Sequence, residues 1–457
     1  MSPTRILAVV FFLTSTMSLC LWGQSTPADQ PLSLQEAVQV AMKNNPTVKA
    51  SAAYAQAVRE GIAEAKSGRY PHFDFSEGFT RGNNPVYVFG TLLTQRQFGA
   101  QDFALNFLNT PLPLDNFETQ FTGTMPLYDA GQTSRMIRDA RLKSQIARNQ
   151  YARTRQQLIF DVISAYSQEL LAREGVRVAR SAVEAAQSDL KDAQARAQQG
   201  VAVPSDLLSA QVQLANAKQD LLSAQNAVAV AHAALNVAMG LPEEAPTRIE
   251  GHLTETQFQP GSLEERQRRA LMTRPDYLAA QMGRQEAVNG MHMARAEFQP
   301  KVNLFSSWAL DNQTFATRGG NNWAAGATLT FNIFDGGRKF AKLAEAHARE
   351  RQAVALQAQF SSAVRLQVKE AFLNLTTAQQ RVQVARSAVS EAKESLRILR
   401  NRYEAGLATM TSLLQVETAR TNAENNYLNA VYDYRLSYAA LELATGELSP
   451  DSPAVLK

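Results

Sequence analysis

Between residues 131 and 199 the chain has no proline and one internal glycine, Gly175, and between 337 and 405 it repeats that pattern with no internal glycine. An uninterrupted helix over either stretch, rising about 1.5 Å per residue, would be roughly 100 Å long. No compact domain wraps such a rod, so each must pack lengthwise against other long helices. Ile159, Val162, Tyr166 and Leu170 supply an apolar stripe, and alanine-rich positions allow close approach. Each run stops at a glycine, in QQGVAVPSDLL around Gly200 and EAGLATMTSLL around Gly406, and a returning helix about half as long ends at Gly240 or Gly446. The pattern predicts two antiparallel helical hairpins. The length missing from each returning helix matches what a helix before the strands could supply if stacked on its end.

The two hairpins are copies. VARSAV occurs at Val178 and again at Val384, and at that offset of 206 Asp129 falls on Asp335, Gly131 on Gly337, Gly200 on Gly406 and Gly240 on Gly446, with no gap from Pro126 to Leu241. Upstream the offset is 229, so that Leu34 meets Leu263, Pro46 meets Pro275 and Pro71 meets Pro300. The first copy therefore carries 23 extra residues between Pro71 and Pro126. The reading is of two repeats, 26–241 and 262–446, joined by a linker at 242–261 and followed by a tail at 447–457.

Each copy opens with a short helix stopped by Pro46 or Pro275, which can also start the next helix at its first position. After Pro71 and Pro300 the apolar period shortens to two, which marks strands. In WAAGATLTFNIF, Trp323, Ala325, Ala327, Leu329, Phe331 and Ile333 share one face; the counterpart strand places Phe117, Phe121, Met125 and Leu127 together. One apolar and one polar face suit a sandwich interior, or lipid outside and water inside. Four strands of about 10 to 12 residues are too few to close a barrel, and no further strands exist for a second sheet, so other copies must complete it. Two copies would give an eight-stranded barrel filled by its own side chains; three give twelve strands and room for water. Asp129 and Asp335, in YDAG and FDGG, are placed to cap the long helices. The Phe- and Gly-rich stretch 82–116 reads as a mobile outer loop with no ligand. Phe89, Phe98, Phe103 and Phe107 would be unusual in a fully solvated loop, which leaves open that it folds against the barrel mouth.

The first 25 residues, with Arg5 before an apolar run and small residues near Gly23 and Ser25, read as a secretory signal peptide cut after one of those two. Either cut removes Cys20, the only cysteine, so disulfides and thiolate metal sites are not expected. Leu19 is a poor neighbour for a lipidation cysteine. No later run of 18 apolar residues would span a bilayer as a helix. Net charge is +4 with mixed signs and no basic block, which gives no indication of nucleic acid. His72, His232, His252, His292 and His347 are scattered without metal-ligand spacing, and no carboxylate constellation points to catalysis. His292 between Met291 and Met293 is read as a helical histidine rather than a metal ligand. The chain is expected to hold no cofactor or metal and not to be an enzyme.

LSLQEAVQVAMKNNP, RPDYLAAQ from Arg274, MPLYDAG, FNIFDGG and RYEAGLATMTSLLQ at 402–415, duplicated and in this order, resemble the TolC family of outer-membrane efflux channels over essentially the whole mature chain. The resemblance implies a mainly α fold with a small β part: a homotrimer whose hairpins form a long α-barrel across the periplasm and whose strands form a twelve-stranded β-barrel in outer-membrane lipid. It implies an exit duct for efflux or secretion, docked through the hairpin tips onto a periplasmic adaptor that links it to an inner-membrane pump or ABC transporter. Tip residues would be Gly200, Val201, Gly406 and Leu407. A tyrosine–aspartate latch at the periplasmic entrance would map onto Tyr403 and Asp206, with Ala408 where an arginine is usual. The carboxylates that narrow the pore in some relatives fall on Ser412 and Gln415. The competing reading is a periplasmic adaptor or other coiled-coil export protein, which would show one hairpin between β-rich domains rather than two hairpins with matched strands.

Overall fold

The computed structural model describes residues 31–200 and 203–456, so the expected signal segment lies outside the described residues. In chain order the elements are α1 (Leu34–Asn44), α2 (Pro46–Ser67), β1 (His72–Gly82), α3 (Pro85–Thr94), a 3-10 turn (Ala100–Phe103), α4 (Leu105–Asn109), β2 (Leu114–Tyr128), α5 (Gln132–Gln198), α6 (Pro204–Ala238), α7 (Leu263–Thr273), α8 (Pro275–Ala296), β3 (Lys301–Asn312), β4 (Gly320–Thr330), α9 (Arg338–Glu404), α10 (Met410–Thr445) and α11 (Pro453–Leu456). The long helices α5 and α9 each run 67 residues, so each is roughly 100 Å long.

Local chemistry sets the helix starts. Ser33 and Glu36 form a reciprocal capping box on α1. Asn45 caps α2 ahead of Pro46. Asp129 accepts from the amides of Gly131 at 2.9 Å and Thr133 at 2.6 Å and so leads the chain into α5. Asp335 departs from that expectation: it sits 3.6 Å from the Arg338 guanidinium instead of capping α9. It follows four residues, 331–334, that no described strand pairs, whereas Asp129 follows a strand paired to Tyr128.

The helices form one layer. Near the strands the order is α2, α5, α8, α9; toward the hairpin tips it is α6, α5, α10, α9. Thus α6 continues α2, and α10 continues α8. Both joints use the same device. Gly240 (φ +72°) and Gly446 (φ +75°) let the chain turn away left-handed while lying against the backbone of Asn45 and Arg274. The side chains of those two residues donate back to the carbonyls of Ala238 (3.0 Å) and Ala444 (3.3 Å). A β-carbon on Gly240 would come within 2.7 Å of Asn45 Cα, and the left-handed backbone disfavours any other residue. Gly240→Ala is expected to cost about 2 kcal/mol, read as a lower denaturant midpoint with unchanged slope.

The main apolar core lies around these joints. Ile159, Val162, Tyr166 and Leu170 of α5 and Val364, Val368 and Leu375 of α9 are buried there. The segment 242–261 packs into this core through Ile249, Leu253 and Phe258, and the end of the chain through Leu448 and Val455. The Tyr166 hydroxyl donates to the carbonyls of Leu32 and Glu250, tying the first strand-like bridge to the core.

The four strands form one antiparallel sheet in the order β1-β2-β3-β4, whose outer edges are both unpaired among the described residues. Its register repeats the duplication: moving His72↔Thr124 by 229 and 206 residues gives Lys301↔Thr330, which is the pairing observed. Phe75, Phe121, Trp308 and Trp323 are register partners across the apolar face. That face is uncovered: Phe73, Phe75, Phe79, Trp323 and Leu329 are all more than half exposed. Each forgoes about 2 kcal/mol of burial in water, a loss that lipid would remove. β4 is shorter than expected and stops at Thr330, because β3 begins opposite it at Lys301 and residues 331–334 have no strand beside them in the chain.

The stretch 82–116 takes the folded alternative that its phenylalanines left open. It folds as α3, the 3-10 turn and α4 around Val88, Leu92 and Leu114, with Tyr87, Phe98 and Phe107 packed against them. Phe98 makes edge contacts to Phe89 and Phe103 at 4.9 and 5.1 Å. Phe98 and Phe107 thus pack into its core, while Phe89 and Phe103 stay exposed.

Candidate functional site at the hairpin tips

At the tips both long helices end on left-handed glycines, Gly200 (φ +69°) and Gly406 (φ +74°). The amide of Leu407 reaches back to the carbonyl of Arg402 at 2.8 Å, closing the last turn of α9. Pro204 opens α6, while Thr409 caps α10 by accepting from the Ser412 amide at 3.2 Å. Leu407 projects into solvent. Val201 lies outside the described residues.

Tyr403 is not at the surface. Only 7% exposed, it inserts among Ala193 of α5, Ala210 of α6 and Met410 and Leu413 of α10, so one side chain touches both hairpins. The Arg196 guanidinium lies 4.5 Å from its ring centre and also donates to the Glu404 carbonyl at 3.2 Å. Burial raises the Tyr403 hydroxyl above its usual range; Arg196 pulls it down, and Asp206, Asp189 and Asp192 push it up. Asp206 is half-buried in the first turn of α6, where a negative charge suits the helix dipole. Within the chain and among the described residues, no hydrogen bond joins it to Tyr403. Ser412 is half-buried with its hydroxyl 2.9 Å from that of Thr409, and Gln415 is exposed.

About one turn above Tyr403 the structure adds a cluster that motif reading missed. Arg400 of α9 pairs with Glu417 of α10 and approaches Asp189 of α5 at 3.6 Å. Asp189 and Glu417 are 3% and 5% exposed, and one Asp189 oxygen has no partner. Burial, and after it the Glu417 carboxyl beside it, push Asp189 up to about 8. Arg196 and Asp189 thus hold the first hairpin to the second. A signal existed in the sequence. At the offset of 206, Asp189, Arg400 and Glu417 stand opposite Ser395, Gln194 and Gln211, so each charge is present in only one copy.

Comparison with known proteins accords with this architecture. A family model described as outer membrane efflux protein matches residues 37–241 and 267–447. Protein CyaE of Bordetella pertussis is 24% identical over 93% of this chain and 87% of its own length. The alkaline protease secretion protein AprF of Pseudomonas aeruginosa is 22% identical over 91% and 85%. The crystal structure of the Campylobacter jejuni CmeC outer membrane channel superposes with a TM-score of 0.78 at 16% identity, covering 92% of this chain and 87% of that one. The two matched blocks together span well over half of the sequence, and the chain belongs to the outer membrane efflux protein family.

Proposed function

We propose that three copies of this chain close into an exit duct of a tripartite efflux or secretion system. Its β-barrel sits in the outer membrane and its helices line a passage through the periplasm. The family is one of outer-membrane channels rather than enzymes. Repeats 26–241 and 262–446 would be the wall units, six around the axis, with residues 1–25 removed as a signal. The observation that carries the reading is the sheet with two open edges and an uncovered apolar face, beside a helical layer whose outer members, α6 and α9, also leave Leu208, Val212, Leu222, Val230, Leu366 and Val384 exposed. α6 is apolar enough to cross a membrane by composition, but it is one arm of a hairpin with α5 and is continued by α2. A neighbouring copy is the better cover.

Cargo would arrive from an inner-membrane pump or ABC transporter through a periplasmic adaptor seated on Gly200, Val201, Gly406 and Leu407. The similarity to AprF, by name a protease secretion protein, supports a secretion role, and the match to the outer membrane efflux protein family supports an efflux role. Tyr403 and Asp206 would gate the periplasmic end, and Ser412 and Gln415 would line its narrowest part with neutral groups. Conductance of the purified protein in a planar bilayer, with its mass in mild detergent, tests this. A trimer with low, steady conductance is expected, and a monomer that does not conduct would overturn the duct. A neutral ring gives a trivalent cation little to bind, so block should be weak, whereas Gln415→Asp should strengthen it on the order of tenfold through three converging carboxylates.

A further inference from the structure

The 23-residue excess of the first copy has no equivalent between β3 and β4, where the link is only 313–319. The segment it builds, 83–113, is seated on one particular face of the sheet. Gln95 Nε2 donates to Asn116 Oδ1 at 2.8 Å, Asn116 donates to Asp311 at 2.8 Å, and Asn322 donates to Asp311 at 2.9 Å and to the Thr94 carbonyl at 3.1 Å. Asn116 shares its face with Gln120, Thr122 and Thr124, opposite the face that carries Phe117 and Phe121. The segment therefore lies on the polar, inward side at the outer end of the sheet and reaches from β2 across β3 to β4. Arg96 extends it further, donating to the Asn321 carbonyl at 3.1 Å.

Size decides what this means. Twelve strands about 4.8 Å apart and tilted about 40° give a barrel about 24 Å across between opposite backbones. A helix with side chains is about 10 Å thick, so a helical layer on the wall leaves roughly 4 Å clear at the axis. The segment's chemistry suits contact with itself. Its only charged residues in 83–113 are Arg96, spent on Asn321, and Asp102, buried and accepting from the Gly99 amide at 2.8 Å. No free like charges would repel at a three-fold axis, and Val86, Leu93, Phe103, Leu105 and Leu112 are left exposed in the single chain. We propose that three copies of this segment meet across the inside of the barrel mouth and form an outer constriction that excludes bulky solutes. The inference rests on the trimeric duct.

The test reads the barrel interior from outside, independently of the periplasmic end. Thr124→Cys puts a thiol on the polar face of β2, far below the mouth. Intact cells are treated with a small maleimide or with one carried on a bulky polyethylene glycol chain; the unsubstituted chain, whose sole cysteine is Cys20, is the blank. With the segment intact only the small reagent should label. Two changes should open the mouth: replacing 86–112 by a short Gly-Ser turn, and Gly320→Ala, whose added methyl would fall on the Thr94 carbonyl and unseat the segment without altering it. Bulky labelling should then rise on the order of tenfold or more. Bulky labelling with the segment intact, or no rise in either variant of a protein whose mass is trimeric, overturns the constriction. A mass that is not trimeric overturns the duct itself, and the constriction with it.

Discussion

Oxidation of the double variant Ser76→Cys/Thr330→Cys is expected to join neighbouring copies into a covalent ring of three. The expectation comes from the register. The pairing of β1 with β2 reappears between β3 and β4 when each strand is moved by its own offset, so the duplication preserves strand alignment. The same operation applied to β2 and β3 carries Thr124↔Phe305 onto Thr330 and Ser76, and Phe121↔Trp308 onto Ala327 and Phe79. Neither pair exists within the chain, since β1 and β4 are its two free edges. In the proposed trimer they form between copies. Opposed antiparallel residues have Cα atoms about 4.5 to 5.5 Å apart, within disulfide reach. The alignment also gives residues 331–334 the start of β1 on the next copy as their missing partner, which accounts for β4 ending early. Ser76→Cys/Thr328→Cys, one pleat out of register and about 7 to 8 Å apart, should cross-link poorly. Equal efficiency in the two variants would show the register to be wrong. A ladder continuing past three would show that the sheet does not close at twelve strands.

The large features were legible because each depends on periodicity along the chain. The missing prolines of 131–199 and 337–405 became α5 and α9, and the alternation in 114–128 became β2, since proline and pleat constrain the backbone locally. End-to-end stacking of α6 on α2 was legible as a length argument. The joint itself, Gly240 against Asn45, needed coordinates because it brings together residues nearly two hundred positions apart. For the segment 82–116 a mobile loop and a folded one both stayed open, for a related reason. Its glycines and prolines look like loop punctuation, while its packing depends on contacts to Asn116, Asp311 and Asn322 that no local pattern encodes. At the tips, motif position found Tyr403 but not the cation beside it. Arg196 comes from the other hairpin and reaches the Tyr403 ring across space rather than along the sequence.

Arg400→Ala is expected to separate the hairpin tips and raise conductance several-fold, more at pH 8 than at pH 5. Removing the guanidinium leaves two carboxyls, 3% and 5% exposed, without their cation, and breaking a buried pair in this way costs about 3 kcal/mol or more. The pH dependence follows from Asp189, which faces Glu417 and Arg400 with Asp192 nearby. In the clasped tip its pKa is about 8, so at neutral pH it holds a proton. Once the hairpins part, Asp189 meets water and returns to the ordinary carboxylate range near about 4, and the proton leaves. Clasping therefore takes up a proton between those two values. Within that window each rise of one pH unit favours the open tip by at most about tenfold per chain, and above about 8 the dependence fades. The intact protein should accordingly open more readily as pH climbs from 5 to 8. Asp189→Asn keeps a neutral amide in the same place and should flatten that profile while leaving the tip clasped. A titrating Asp189 elsewhere on the wall would change overall stability with pH but not the conductance. An Arg400→Ala channel with unchanged current, or an Asp189→Asn channel that keeps the full pH response, would remove this cluster from the proposed gate and leave the hairpins joined at the tip by Arg196, Tyr403 and the apolar contacts around it.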